Sequence, residues 1–173
     1  MAGIAGINRE GRQEQVARML ERITHRGDAG AKIVESQGTT LGAIWPEAQI
    51  APASAMLQDR AAWDGDRPLL PESAALTQER EPFALAAATS AGVFLARDSL
   101  GIRPLYVGWT DDGALCFASE VKALLEITRC VREFPPGAWY DDRSGFKRFS
   151  EAEPRPALAQ DAEEIASDLR LRL

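Results

Sequence analysis

The first seven residues, Met1-Ala2-Gly3-Ile4-Ala5-Gly6-Ile7, constrain this chain more than any other stretch. Small residues at positions 2, 3, 5 and 6, set between Ile4 and Ile7, describe a short strand. It is thin enough for another backbone to approach closely, which is what glycine within a strand marks.

The rest of the chain supplies partners for such a strand. After a turn at Asn8–Gly11, residues 12–24 place Val16, Met19, Leu20 and Ile23 on one apolar stripe, which predicts a helix. It runs into His25-Arg26-Gly27, with Gly27 expected as a C-cap. Strands are expected at 31–36 and 39–45, and an edge strand at 59–63 is followed by an Asp64–Pro68 turn. Residues 72–79 are weakly helical. Beyond Pro82 the punctuation is clearer. Runs 83–88 and 92–97 flank a short turn, and 104–108 with 114–118 form a second pair. Ser119 is expected to cap a helix over 120–125. A short strand at 131–134 and a last hairpin, 138–140 with 146–149, follow. A proline-rich linker at 153–156 leads to a final helix over 161–173. Many strands joined by hairpins, with two or three helices and no repeats, indicate an α+β protein with stacked sheets.

Composition narrows the function. At 173 residues, with 45% hydrophobic and 27% charged, one domain with a sizeable core is expected. A net charge of −6, with the acids scattered, argues against nucleic acid, which requires a basic face. The only cysteines, Cys116 and Cys130, lack metal-site spacing, and a reducing, cytoplasmic setting is expected. No signal-like opening or apolar run of about 18 residues is present, so neither export nor a membrane is implied.

Four blocks then narrow the reading further. Met1–Ile7 looks like a Met-Cys-Gly-Ile-x-Gly opening in which alanine stands for cysteine. Ala96-Arg97-Asp98-Ser99-Leu100-Gly101-Ile102-Arg103-Pro104-Leu105-Tyr106, Phe117–Leu124 and Phe134-Pro135-Pro136-Gly137 look like ARDxxGIxPLYYG, FASExKAL and FPPG. In this order, with His25-Arg26-Gly27, they resemble class II glutamine amidotransferases. These are N-terminal-nucleophile hydrolases, and the likeness is nearest to the glutaminase domains of glutamine-dependent asparagine synthetases. The resemblance implies a shortened four-layer αββα sandwich of two antiparallel sheets, with no cofactor and no metal. It assigns the glutaminase-like domain to 1–152 and a linker and docking helix to 153–173.

The resemblance also implies where chemistry would lie. In the family, removal of Met1 exposes a cysteine that attacks the glutamine amide, with its own α-amine as base. Here Ala2 holds that position, and a methyl group cannot attack a carbonyl. The family's Asn-Gly-Glu oxyanion motif has its nearest match in Asp64-Gly65-Asp66. An asparagine amide donates to the oxyanion, whereas an ionised aspartate only accepts; the loss of such a donor costs about 3 kcal/mol. The same tripeptide also reads as an ordinary surface turn. The arginine that clamps the substrate carboxylate is missing from Leu41–Trp45, leaving Arg60 or Arg67 as substitutes. The acidic run that holds the α-amine is absent from the short span Asp64–Arg97. Arg97, Asp98 and Gly101 are expected to be scaffold. His25 reads as a structural group at a helix end rather than an acid or base, and Cys116 as a small buried hydrophobe.

The expectation that follows is a glutaminase-like domain without its nucleophile and most of its substrate grip. It would serve as a structural or regulatory subunit of an amidotransferase- or asparagine synthetase-like partner, or as a homo-oligomer. Docking is expected through Ile165, Leu169 and Leu173. The alternative is a glutaminase in which alanine was introduced at position 2, leaving glutamine binding intact. A third reading is a pocket taken over by another small ligand and lined partly by Trp45, Trp63 and Asp66. The chain carries no Ser-Gly-Gly-x-Asp-Ser pyrophosphate loop or other phosphate-binding glycine motif, so ATP-dependent activation is not expected of it.

Overall fold

The structure, a computed structural model, describes residues 2–47, 60–65, 76–150, 163, 165–167 and 170. The first strand, β1 (Gly3–Ile7), is buried at every position and lies inside a six-stranded antiparallel sheet. Its neighbours are β3 (Thr39–Trp45), with Gly6 opposite Leu41, and β8 (Leu115–Ala118), with Gly6 opposite Phe117. The order is completed by β2 (Gly30–Ser36) at one edge, and by β7 (Tyr106–Trp109) and β9 (Val131–Glu133) at the other. A Cβ on Gly6 would lie 2.3 Å from Phe117 Cζ and 2.7 Å from the Thr40 carbonyl oxygen. The small residues of β1 therefore make room for a ring and a backbone.

The second sheet has five strands. In spatial order they are β11 (Gly145–Arg148), β10 (Ala138–Asp141), β6 (Gly92–Arg97), β5 (Phe83–Thr89) and β4 (Ala61–Gly65). Alternation along these strands separates two apolar layers. Ala62, Ala84, Ala86, Ala88, Val93 and Leu95 meet Ile4, Leu41, Leu105, Leu115 and Phe117 of the first sheet and its loops. The alanines of one sheet accept the bulk of the other, which is how facing layers fill space. Trp63, Leu85 and Phe94 point the opposite way, and pack with Phe83, Leu76 and Phe149.

The helices cover the first sheet's outer face. Helix α1 (Gln13–Glu21) lays Val16, Met19 and Leu20 on it, joined by Ile23. Short α2 (Val121–Leu124) adds Ala123 and Leu124, and the layer is closed by Ala5, Ile7, Cys116 and Ala118 of the sheet. With Leu76, itself helical, against the second sheet's outer face, this is the αββα arrangement in shortened form.

Four local expectations are corrected. The predicted first helix ends early: α1 closes at Glu21, and Thr24–Arg26 is a separate 3-10 turn. Gly27 follows it with φ −179°, extended rather than left-handed. Its need for glycine is spatial, because a Cβ would lie 2.4–2.5 Å from the backbone of Trp45. Ser119 does not cap α2. Its Oγ accepts the Ile4 amide hydrogen at 2.9 Å, tying β1 to the end of β8. Asp64 and Gly65 continue β4, opposite Ala84 and Phe83, and are not a surface turn. The expected linker at 153–156 and Leu169 and Leu173 lie outside the described residues. Residues 163, 165–167 and 170 are helical, with Ile165 half-buried.

Candidate functional site

The two sheets are joined by charge at one end of the sandwich. Arg26 leaves the 3-10 turn beside α1, and its side chain is almost wholly buried. Its Nε donates to the Ala2 carbonyl at 2.9 Å, its Nη2 to Asp64 Oδ2 at 2.7 Å and its Nη1 to Glu120 Oε1 at 3.2 Å. One guanidinium therefore holds the residue before β1, the edge strand of the second sheet and the residue before α2. Its place is set by Gly27, whose lack of a side chain lets the turn press against Trp45.

Asp64 is completely inaccessible to solvent. Burial pushes its pKa up from the ordinary carboxylate value, and the guanidiniums of Arg26 and Arg103 pull it back. Arg103 Nη1 stands 3.5 Å from Oδ1, and that oxygen accepts no hydrogen bond from the described residues. Removing one partner of so buried a pair typically costs about 3–5 kcal/mol, because the survivor keeps an uncompensated charge.

Arg103 owes its position to the loop after β6. The Asp98 carboxylate accepts from the amides of Leu100 at 3.1 Å, Ile102 at 3.0 Å and Arg103 at 3.0 Å. Arg97 donates to the carbonyls of Gly101, Arg103 and Phe134, and to Glu133. Gly101 has φ +68°, a backbone state that favours glycine. Arg97, Asp98 and Gly101 thus build the loop from which Arg103 reaches Asp64.

Outside this core, His25 Nε2 lies 2.7 Å from Glu120 Oε1 and Nδ1 lies 3.3 Å from Lys122 Nζ. A neutral ring protonated on Nε2 satisfies both contacts, donating to the carboxylate and accepting from the ammonium. Partial burial raises the pKa of Glu120, but hydrogen bonds from Arg26, His25 and Lys122 outweigh it and hold the carboxyl below its ordinary range. An open groove of about 470 Å³ is lined by Thr24, His25, Arg26, Gly27, Asp28 and Pro46.

Of the residues expected from sequence, Ala2 and Asp64 are brought together on Arg26. Ala2 is buried, and Gly65 contributes backbone to β4. Asp66 and Arg67 lie outside the described residues. Arg60 is exposed, just before β4, and forms no ion pair among the described residues. Trp45 and Trp63 belong to different layers, one between the sheets and the other on the second sheet's outer face. They do not line one pocket. Cys116 sits under the helices rather than between the sheets, and burial pushes its thiol up to about 12. The charged partners Arg26, Arg103 and Glu120 were not singled out as a site by sequence, although each falls within or beside a matched block.

A glutamine amidotransferase domain profile matches residues 75–126, the stretch that carries the Asp98 loop, Arg103 and Glu120. Asparagine synthetase [glutamine-hydrolyzing] 2 of Arabidopsis thaliana is 50% identical over 50 residues, 29% of this chain and 9% of that protein. Asparagine synthetase B of Escherichia coli K12 is 41% identical over 63 residues, 36% of this chain and 11% of that protein. The fold of glutamine phosphoribosylpyrophosphate amidotransferase from B. subtilis superposes with a TM-score of 0.65 at 17% identity, covering 86% of this chain and 49% of that one. The chain shares the fold of that amidotransferase, and its residues 75–126 are similar to a glutamine amidotransferase domain. The chain spans about half the length of that solved amidotransferase, and the stretches aligned to the two synthetases cover about a tenth of each. No helix among the described residues is long and apolar enough to cross a membrane, and they contain no cluster of metal-ligating side chains.

Proposed function

We propose that this glutamine amidotransferase-like domain is not itself a glutaminase, and that it serves as a structural or regulatory subunit of an amidotransferase- or asparagine synthetase-like partner. The observation that carries this reading is the pair of groups on Arg26. Ala2 presents a methyl group where the family presents a thiol, and Asp64 presents a buried carboxylate where the family presents an amide donor. A carboxylate repels a developing oxyanion, so two requirements of amide hydrolysis are absent together. Among the described residues of the site, no hydroxyl or thiol is hydrogen-bonded to a base that would activate it. Docking through Ile165, Leu169 and Leu173 in the cytoplasm belongs to the same proposal. Light scattering with and without residues 161–173 tests it, and an unchanged mass with every candidate partner counts against that helix.

One observation favours a second reading, in which alanine was introduced into a working site: Arg26 still grips the Ala2 carbonyl at 2.9 Å, so the backbone at this position is held in order. Ammonium release from glutamine separates the two. The first reading expects no release above blank from the chain or from Ala2→Cys, with release appearing at most in Ala2→Cys combined with Asp64→Asn. Turnover on the order of 1 per second by the chain itself would end it, and turnover by Ala2→Cys alone would establish the second.

A further inference from the structure

We propose that two copies of this domain pair through β2, antiparallel and edge to edge, and so continue the six-stranded sheet across a two-fold axis. A sheet edge presents unpaired amides and carbonyls, and folded chains blunt it by shortness, burial, bulges, proline or charge. Among the described residues the two sheets end in four edge strands, β2, β9, β11 and β4. Three of them are blunted. β4 is buried at all five positions, β9 has three residues, and β11 has four that end in Lys147 and Arg148. β2 is neither short nor buried: it has seven residues, none of them fully buried and none proline. It pairs with β3 without a bulge, from Gly30 opposite Trp45 to Ser36 opposite Thr39. The turn at Gln37 and Gly38, with φ +48° and +79°, is of the two-residue kind that fixes a hairpin's register.

The two charges on β2 are placed so that a second copy is accepted. The Glu35 carboxylate turns back onto its own sheet, accepting from the Gly11 amide and, at 3.1 Å, from the Thr40 hydroxyl. A two-fold axis perpendicular to the sheet keeps each face with its like, so only residues of equal parity can stand opposite. Two central registers result. In one, Ile33 faces its own copy, Lys32 faces Val34 and Ala31 faces Glu35. In the other, Val34 faces its own copy, Ile33 faces Glu35 and Lys32 faces Ser36. Neither sets like charges directly opposite, and both put a β-branched pair on the axis, where cross-strand contact stabilises a sheet. Both apolar layers continue across the seam, because Ile33 belongs to the layer under the helices and Val34 to the layer between the sheets. The pairing stands whether or not the domain turns over glutamine.

Light scattering on the full chain at concentrations up to about 1 mM tests it, together with amide exchange. The mass is expected to rise from one chain to two. Alternate amides of β2, those turned away from β3, are expected to exchange roughly tenfold or more slowly in the dimer. Val34→Lys sets a lysine opposite its own copy in one register and opposite Lys32 in the other. It is expected to raise the dissociation constant of the dimer by roughly tenfold or more, whereas Val34→Thr, β-branched and uncharged, keeps the dimer. If Val34→Lys does not fold, amide exchange of the unaltered chain at low and high concentration decides alone. A mass of one chain throughout overturns the proposal. So does a dimer whose β2 amides exchange as in the monomer, or one that folded Val34→Lys forms equally well.

Discussion

Replacing Gly27 with alanine tests how the arginine at the centre of the site is placed. The new Cβ would lie 2.4 Å from the carbonyl carbon of Trp45, and 2.5 Å from its Cα and nitrogen. Carbon atoms rest about 3.5–4.0 Å apart, so turn and strand must separate by roughly 1 Å. All three obstructing atoms are backbone, so no rotamer change relieves the contact. The extended φ of Gly27 adds no conformational penalty of its own. Overpacking costs about 1–3 kcal/mol, and backbone on both sides places Gly27→Ala near the upper end. For a chain of this size, about 2–3 kcal/mol corresponds to roughly 4–12 °C in Tm. Gly65→Ala provides the comparison. Its nearest contacts are 3.1 Å to the Pro82 oxygen and 3.4 Å to Phe83 Cβ, so it needs only a few tenths of an ångström of adjustment, and a loss below about 1 kcal/mol is expected. Thermal melts of both variants at one pH decide the matter. Equal Tm values would refute the argument that Gly27 is required by space.

Asp98→Ala removes the acceptor for three loop amides, and a loss of about 2–4 kcal/mol in urea unfolding is expected, with faster hydrogen exchange at Leu100, Ile102 and Arg103. A thiol reagent at pH 8 is expected to modify Cys130 in the folded chain and to spare Cys116, whose thiol is pushed up to about 12; denaturant then exposes both. Glu120, held below its ordinary value of 4.5, contributes stability above that pH and loses it as pH falls through its folded value. The stability gap between the chain and Glu120→Gln is therefore expected to be widest above about pH 4.5 and to close in acid. Asp64 is common to both proteins, so its own titration largely cancels from that comparison.

The strands were legible because turn residues bracket apolar runs at nearly every hairpin, and the observed strands β2, β3, β5 and β6 keep to within a residue of those bounds. The site was less so. An Asp-Gly pair carries a strong local turn signal, and only the burial of Asp64 by a guanidinium 38 residues away overrides it. Ser119 has the side chain and place of a helix cap, but an unpaired amide on β1 claims its hydroxyl. Gly27 suggested a helix C-cap, whereas the Trp45 backbone that actually excludes a side chain there is brought to it by the sheet. In each case a partner distant in sequence decides, and local propensity carries no trace of it.

The position of β1 inside its sheet has a consequence in time. Ile4 and Ser119, which hold it to β8, are 115 residues apart. On a ribosome, β1 can therefore pair with β3 long before its other edge is filled. Until then a glycine-rich strand stands with one row of amides and carbonyls open, the condition under which chains pair with the wrong neighbour. Closure of that seam by β8 is a late, long-range event of the kind that slows folding, and a nascent chain stalled before Leu115 would be a natural client for a chaperone.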